Sequence, residues 1–345
     1  MKLNAFTAFS MGLVMQVVKT KHVNELIDRI DDTIPYIDGE VLKSFVDDYG
    51  ALYDMRRTQN CLRGQRMLVL GDSVIEDFVF DLALLLSGVA RNKKRMDAFI
   101  TTATEPGLGD HMRMQIPLSD VFMDFYHGRR NATIVDDRND IHIQHRFTGH
   151  VSLKANHLGI KTFFRDDIQK ELDCMLGFVK EDDRERCPKP DIIVINSGLH
   201  DDKKRPEYFK EHLDYLFEDW KKRYRTLENG NVRIVWRGNL EGSGNIKYPY
   251  PVGLLEEWNK YAQQITKKYH IPFVNISDVF SYVPKYKETP SYYTYDNIHF
   301  GSLARDQDLS VSGTISMLIT QKLLKIICDH DGWKLISQKD WDRSS

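Results

Sequence analysis

From Arg66 onward, short apolar runs alternate with stretches whose apolar residues recur every three or four positions, and no other feature restricts the fold of this chain as tightly. The runs are Met67-Leu-Val-Leu70, Ile141-His-Ile143 with its neighbours, Asp191-Ile-Ile-Val-Ile195, Val232-Arg-Ile-Val-Trp236 and Ile271-Pro-Phe-Val-Asn-Ile276. A strand covered on both faces reads as a near-continuous apolar run, and strands separated by helical crossovers pair in parallel. Helical spacing falls near 74–88, 166–179, 206–226, 252–269 and 310–328. The pattern predicts an α/β fold, a three-layer α/β/α sandwich with a mostly parallel five-stranded, flavodoxin-like sheet. In such sheets ligands bind beyond the carboxyl ends of the strands.

Ahead of this region, Val23, Leu26, Ile27, Ile30 and Ile34, then Val41, Leu42, Phe45 and Val46, recur at helical spacing. Residues 1–57 are expected to form a helical extension packed on a main domain spanning 58–345. Within 1–20, the mostly apolar stretch from Ala5 to Val18 resembles a leader or short anchor. It falls short of the ~20 predominantly apolar residues of a spanning helix. The expectation is a secretory or extracellular protein, with membrane association through this segment; the cytoplasm is the alternative. Cys61, Cys174, Cys187 and Cys328 form no CxxC pair and no zinc spacing, which leaves two disulfides or four buried thiols. The sequons Asn131-Ala-Thr133 and Asn275-Ile-Ser277 fit a secretory route, but the second is expected inside a core strand, where a glycan has no room.

With 48 Lys and Arg against 50 Asp and Glu, the net charge of −2 offers no general attraction for nucleic acid. No GxGxxG or GxxxxGK[ST] loop occurs. His142, His145, His150 and His157 fit no closed metal motif and read as solvent-facing or cleft-lining residues, so no metal and no cofactor is expected. Tyr282, Tyr286, Tyr292, Tyr293 and Tyr295 read either as loop packing or as a platform for sugar rings.

Four motifs sit at expected strand ends. Leu70-Gly71-Asp72-Ser73 falls where the first strand turns into a helix. A serine there has its backbone N–H at a helix N-terminus, where developing negative charge is stabilised. Asp72 can accept hydrogen bonds from nearby N–H groups. Late in the chain, Asp296 precedes His299 by three residues. A serine hydroxyl is a poor nucleophile until a base takes its proton, and that base needs a partner fixing its tautomer. Ser73, His299 and Asp296 are therefore the candidate nucleophile, base and orienting acid. Asn196-Ser-Gly198-Leu-His200-Asp201 follows the central strand; Asn196 and His200 are candidate oxyanion donors, Gly198 the tight turn beside substrate. Arg237 could hold a substrate carboxylate, phosphate or sugar hydroxyl, or pair with a loop acid.

Gly71-Asp72-Ser73 with Asp296-x-x-His299 resembles the first and last signature blocks of the SGNH, or GDSL-type, hydrolases. Cys61-Leu-Arg-Gly64 before the serine motif, Asn196-Ser-Gly-Leu-His-Asp201 and Val235-Trp-Arg237 are similar to the PC-esterase branch, across roughly residues 58–328. The resemblance implies a serine esterase or O-acyltransferase acting on a carbohydrate ester, acetyl foremost. It also implies an oxyanion hole from the backbone N–H groups of Ser73 and Gly149 with a donor from His200 or Asn196. The sequence departs from the family pattern at His200, where the third block carries asparagine, and at Glu76, where the branch often has arginine. Loss of the asparagine donor would favour the rival reading, a catalytically weak protein of this fold that binds a glycan or a protein partner.

Overall fold

The computed structural model describes residues 44–46, 48, 52–87, 112–115, 132–147, 173–174, 189–199, 201, 206–226, 232–240, 253–282 and 309–329. Five helices are named here: α1 (Met55–Leu62), α2 (Ser73–Ser87), α3 (Glu207–Thr226), α4 (Leu254–Lys268) and α5 (Leu309–Cys328). The strands are β1 (Arg66–Gly71), β2 (Met112–Gln115), β3 (Ala132–Asp136), β4 (Ile141–Phe147), β5 (Ile192–Ile195), β6 (Arg233–Arg237) and β7 (Phe273–Val274). They form one sheet in the order β2-β3-β4-β1-β5-β6-β7.

The last five in that order run parallel. Numbered among themselves along the chain they read 2-1-3-4-5, the flavodoxin-like arrangement. All five expected strands are present, and four expected helices begin and end within two residues of their sequence positions. Of the expected helix at 166–179 only Asp173 and Cys174 are described, and both are helical. The strand count needs correction from five to seven, because β3 pairs antiparallel with β4 and β2 antiparallel with β3. β2 escaped notice because it is four residues long, with Arg113 and Gln115 interrupting the apolar pattern.

Strand geometry sends successive side chains to opposite faces, so an all-apolar strand feeds two cores at once. Met67 and Val69 of β1 join Ile192, Val194, Val235 and Val274 in one core, beneath α1, α2 and α5. Leu68 and Leu70 join Ile193, Ile195, Ile234 and Trp236 in the other, beneath α3 and α4. Phe209 stacks on Trp258 with centroids 5.2 Å apart and meets Trp236 edge-on, tying α3, α4 and β6 together. Phe45, Leu52 and Tyr53 belong to the first core, so chain ahead of residue 58 packs against the sheet domain, and α1 runs across position 57.

A polar cluster and a disulfide join α5 to the first core. The Asp81 carboxylate of α2 accepts from Ser316 Oγ at 2.6 Å and Thr320 Oγ1 at 3.0 Å. Cys61, near the end of α1, is disulfide-bonded to Cys328 at the end of α5, with Cα atoms 5.6 Å apart. Cys174 is disulfide-bonded too, and among the described residues no cysteine is free. This bond lies at the amino end of the parallel strands: Arg233, the first residue of β6, donates to Ile327 O at 3.1 Å.

Candidate active site

Gly71 ends β1 against the chain leaving β5. A Cβ there would lie 2.8 Å from Asn196 O and 2.7 Å from Ile75 Cγ2, so only glycine admits this approach. Asn196 N donates to Leu70 O at 2.9 Å, extending the parallel ladder to the strand ends. Asp72 is buried; its Oδ1 accepts from Val74 N at 3.2 Å and its carbonyl from Ile75 N at 3.2 Å. An aspartate satisfying first-turn N–H groups stabilises the helix start and complements its positive end. The Ser73 backbone is the first residue of that helix, at the carboxyl end of β1, as the sequence predicts.

The loop after β5 is held by amides. Asn196 Nδ2 donates to Arg237 O and to Asn239 Oδ1, both at 3.0 Å, and Asn239 Nδ2 donates to Ser197 O at 2.6 Å. Ser197 Oγ donates to Asp201 at 2.9 Å. Gly198 has φ +143°, and a Cβ there would fall 2.2 Å from Asn239 Nδ2. The loop after β6 is clamped in turn: Asn239 N donates to Asn259 Oδ1 and Asn259 Nδ2 to Asn239 O, both at 2.7 Å. Gly238 lies so close to β7 that a Cβ would meet Phe273 Cζ at 2.9 Å.

This geometry alters two sequence expectations. Both hydrogens of the Asn196 amide are committed within the protein, and the residue is fully buried, so Asn196 braces the loop rather than donating to an oxyanion. Arg237 is 3% exposed. Its Nη1 donates to Gly238 O at 3.3 Å, and it lines a small cavity with Val74, Asp77 and Phe78 of α2 and Ser316, Ile319 and Thr320 of α5. Burial pushes its guanidinium down to about 10, while the Asp72 and Asp77 carboxylates push it the other way. Of the two roles open in the sequence, burial beside the Asp72 and Asp77 carboxylates suits pairing with nearby acids. Gly198 has a structural reason to be glycine, its approach to Asn239, apart from any contact with substrate.

Gly149, His200, Asp296 and His299 lie outside the described residues, as do His150, His157, Asn131 and the segment 1–20. Tyr282 is described: it packs edge-on against Phe45 at 5.4 Å and its hydroxyl donates to Asp48, which is the packing role. His145 is buried, while His142 is half-buried with Nε2 3.3 Å from Asp140 Oδ1. Asn259 was not foreseen, because a polar position on an amphipathic helix carries no mark of the loop it will clamp. Among the described residues no helix is long and apolar enough to cross a membrane.

The structure thus assembles, at one end of adjacent strands β1, β5 and β6, three of the four sequence motifs in a single hydrogen-bonded rim. No family model matches the chain, and no curated protein matches it. Among solved structures it is similar to a GDSL-like lipase from Parabacteroides merdae, at 16% identity over 76% of this chain and 97% of that one, with a TM-score of 0.40. It is also similar to LAE5, an α/β hydrolase from the metagenome of Lake Arreo, at 11% identity over 77% and 95%, TM-score 0.40. A third is Axe2, an acetylxylan esterase from Geobacillus stearothermophilus, at 14% identity over 77% and 94%, TM-score 0.36. Overlays this loose carry no argument about chemistry, and the fold assignment rests on the strand order of this chain.

Proposed function

We propose that the chain is a serine esterase or O-acyltransferase that acts on an ester, acetyl foremost, of a carbohydrate. The observation that carries this reading is the start of α2: Gly71 ends β1, Asp72 caps the turn, and residue 73 opens the helix beside the braced loop 196–199. That is where an open α/β sheet receives its ligand.

In this reading Ser73 attacks the ester carbonyl while His299 takes the hydroxyl proton, Asp296 fixing the imidazole tautomer. The tetrahedral oxyanion is held by the backbone N–H groups of Ser73 and Gly149 and by an N–H of His200, Asn196 being committed elsewhere. Collapse expels the alcohol, which takes the proton from His299, and leaves Ser73 acylated. Water then restores the serine in a hydrolase, or a sugar hydroxyl takes the acyl group in a transferase. Both outcomes use the same residues; exclusion of water from the acyl-enzyme decides between them. Disulfides persist in oxidising compartments, and the Cys61–Cys328 bond supports a secretory or extracellular location.

The test is covalent labelling. A small organophosphonate ester should add one phosphonyl group to wild-type protein, mapped by peptide mass to Ser73, and none to Ser73→Ala. His299→Ala should slow the labelling by at least about a hundredfold, since an unactivated serine is a weak nucleophile. Wild-type protein that remains unlabelled, and turns over no acetyl ester that Ser73→Ala leaves intact, refutes the reading and returns the molecule to the class of non-catalytic binders.

A further inference from the structure

We propose that Asn275 carries an N-linked glycan. The inference stands apart from the esterase reading, and it reverses the expectation that this sequon is sealed in a core strand. β7 stops at Val274, and Asn275 and Ser277 are both exposed. Val274 and Ile276 point their side chains into the protein, at 3% and 0% exposure, so the alternation of the chain turns the asparagine between them outward.

The local conformation suits the modification. Asn275 Oδ1 accepts from Ser277 N at 3.0 Å, an Asx turn that uses the carboxamide oxygen and leaves the nitrogen, the atom that takes the sugar, outside that bond. The turn is anchored from beneath, because Lys322 Nζ of α5 donates to Asn275 O and to the Asp278 carboxylate. Among the described residues, a sugar on Asn275 Nδ2 therefore displaces no core side chain and no backbone hydrogen bond.

The second observation is the Cys61–Cys328 disulfide, together with the bonded state of Cys174. Such bonds form in the compartment where Asn-x-Ser/Thr acceptors meet their donor, a lipid pyrophosphate-linked oligosaccharide. In the transfer, Asn275 Nδ2 attacks the anomeric carbon and an N–C bond forms. The C–O bond to pyrophosphate breaks, lipid pyrophosphate leaves with the electron pair, and the amide gives up one proton. Among the described residues β7 is the last strand of the sheet order, so a glycan on Asn275 would stand beside that strand and obstruct its pairing with another chain.

The full chain, expressed in animal cells, provides the test. Peptide-N-glycosidase digestion in ¹⁸O-water should convert Asn275 to ¹⁸O-labelled Asp, read by peptide mass. Ser277→Ala should abolish that conversion while leaving the fold intact, since the Asx turn uses the Ser277 backbone N–H; Asn131→Gln should leave it unchanged. An unlabelled Asn275 peptide in protein whose Cys61 and Cys328 peptides are recovered disulfide-linked overturns the proposal. So does recovery of those cysteines as free thiols, because the oxidising route would then be wrong.

Discussion

Replacing Gly198 with alanine imposes two separable costs. The backbone there sits at φ +143°, where an L side chain is strained by about 1–3 kcal/mol. The new Cβ would also lie 2.2 Å from Asn239 Nδ2. Ordinary contact requires that amide to retreat by about 1.2 Å, far enough to break its bonds to Ser197 O and to Asn196 Nδ2. Each buried group so stranded costs about 1–3 kcal/mol. Restriction of the unfolded chain returns less than about 1 kcal/mol, so Gly198→Ala should destabilise by about 3–5 kcal/mol. At about 2.1 cal/mol/K per residue, a chain of 345 residues then loses about 4–7 °C in Tm. Gly64→Ala is the control: φ is +67° with nothing within 4 Å of the added carbon, so strain acts alone and the loss should be about 1–2 kcal/mol. Chemical denaturation of both variants, with Asn239→Ala and the Gly198→Ala/Asn239→Ala double variant, closes a cycle. Removing the amide relieves the clash, so the double variant should cost less than the sum of the single ones. Strict additivity, or equal losses at Gly198 and Gly64, would refute the brace.

Arg237→Met should lose about 3–5 kcal/mol in denaturant, because it leaves the buried Asp72 carboxylate without its cation, and Arg237→Lys should lose less. If Arg237 instead binds substrate, KM rises while the unfolding midpoint stays put. Cys61→Ser/Cys328→Ser removes a bridge between residues 267 apart. Chain entropy puts the cost at about 5–6 kcal/mol, seen as a lower unfolding midpoint in the double variant than in oxidised wild type.

β1, β5 and β6 were readable as parallel strands because each feeds two cores and is apolar on both sides; Met67 to Leu70 and Ile192 to Ile195 have no polar residue to misplace. β2 and β3 were not, since an antiparallel pair added at one side of a sheet can alternate, and alternation in four or five residues is weak evidence. The site divides along a similar line. Asp72 and the glycines carry local signals, a helix start and tight turns, and the structure gives each its reason. Asn196 and Arg237 carried only their chemistry. An amide or guanidinium at a strand end looks the same in sequence whether it faces a ligand or is enclosed by the protein, and the neighbours that matter, Asn239 for Asn196 and Asp72 for Arg237, lie 43 and 165 positions away. Asn275 was misjudged because β7 ends after two residues, earlier than its apolar run suggests.

The Cys61–Cys328 bond holds α1 to α5 at the amino end of the strands, away from the rim where the candidate site lies. A protease that cuts the backbone once anywhere between those two cysteines therefore releases nothing: both pieces stay on one molecule until a thiol separates them. A clipped preparation would migrate as intact protein on a non-reducing gel and fall into two bands only after reduction, so integrity assays on this molecule require both lanes.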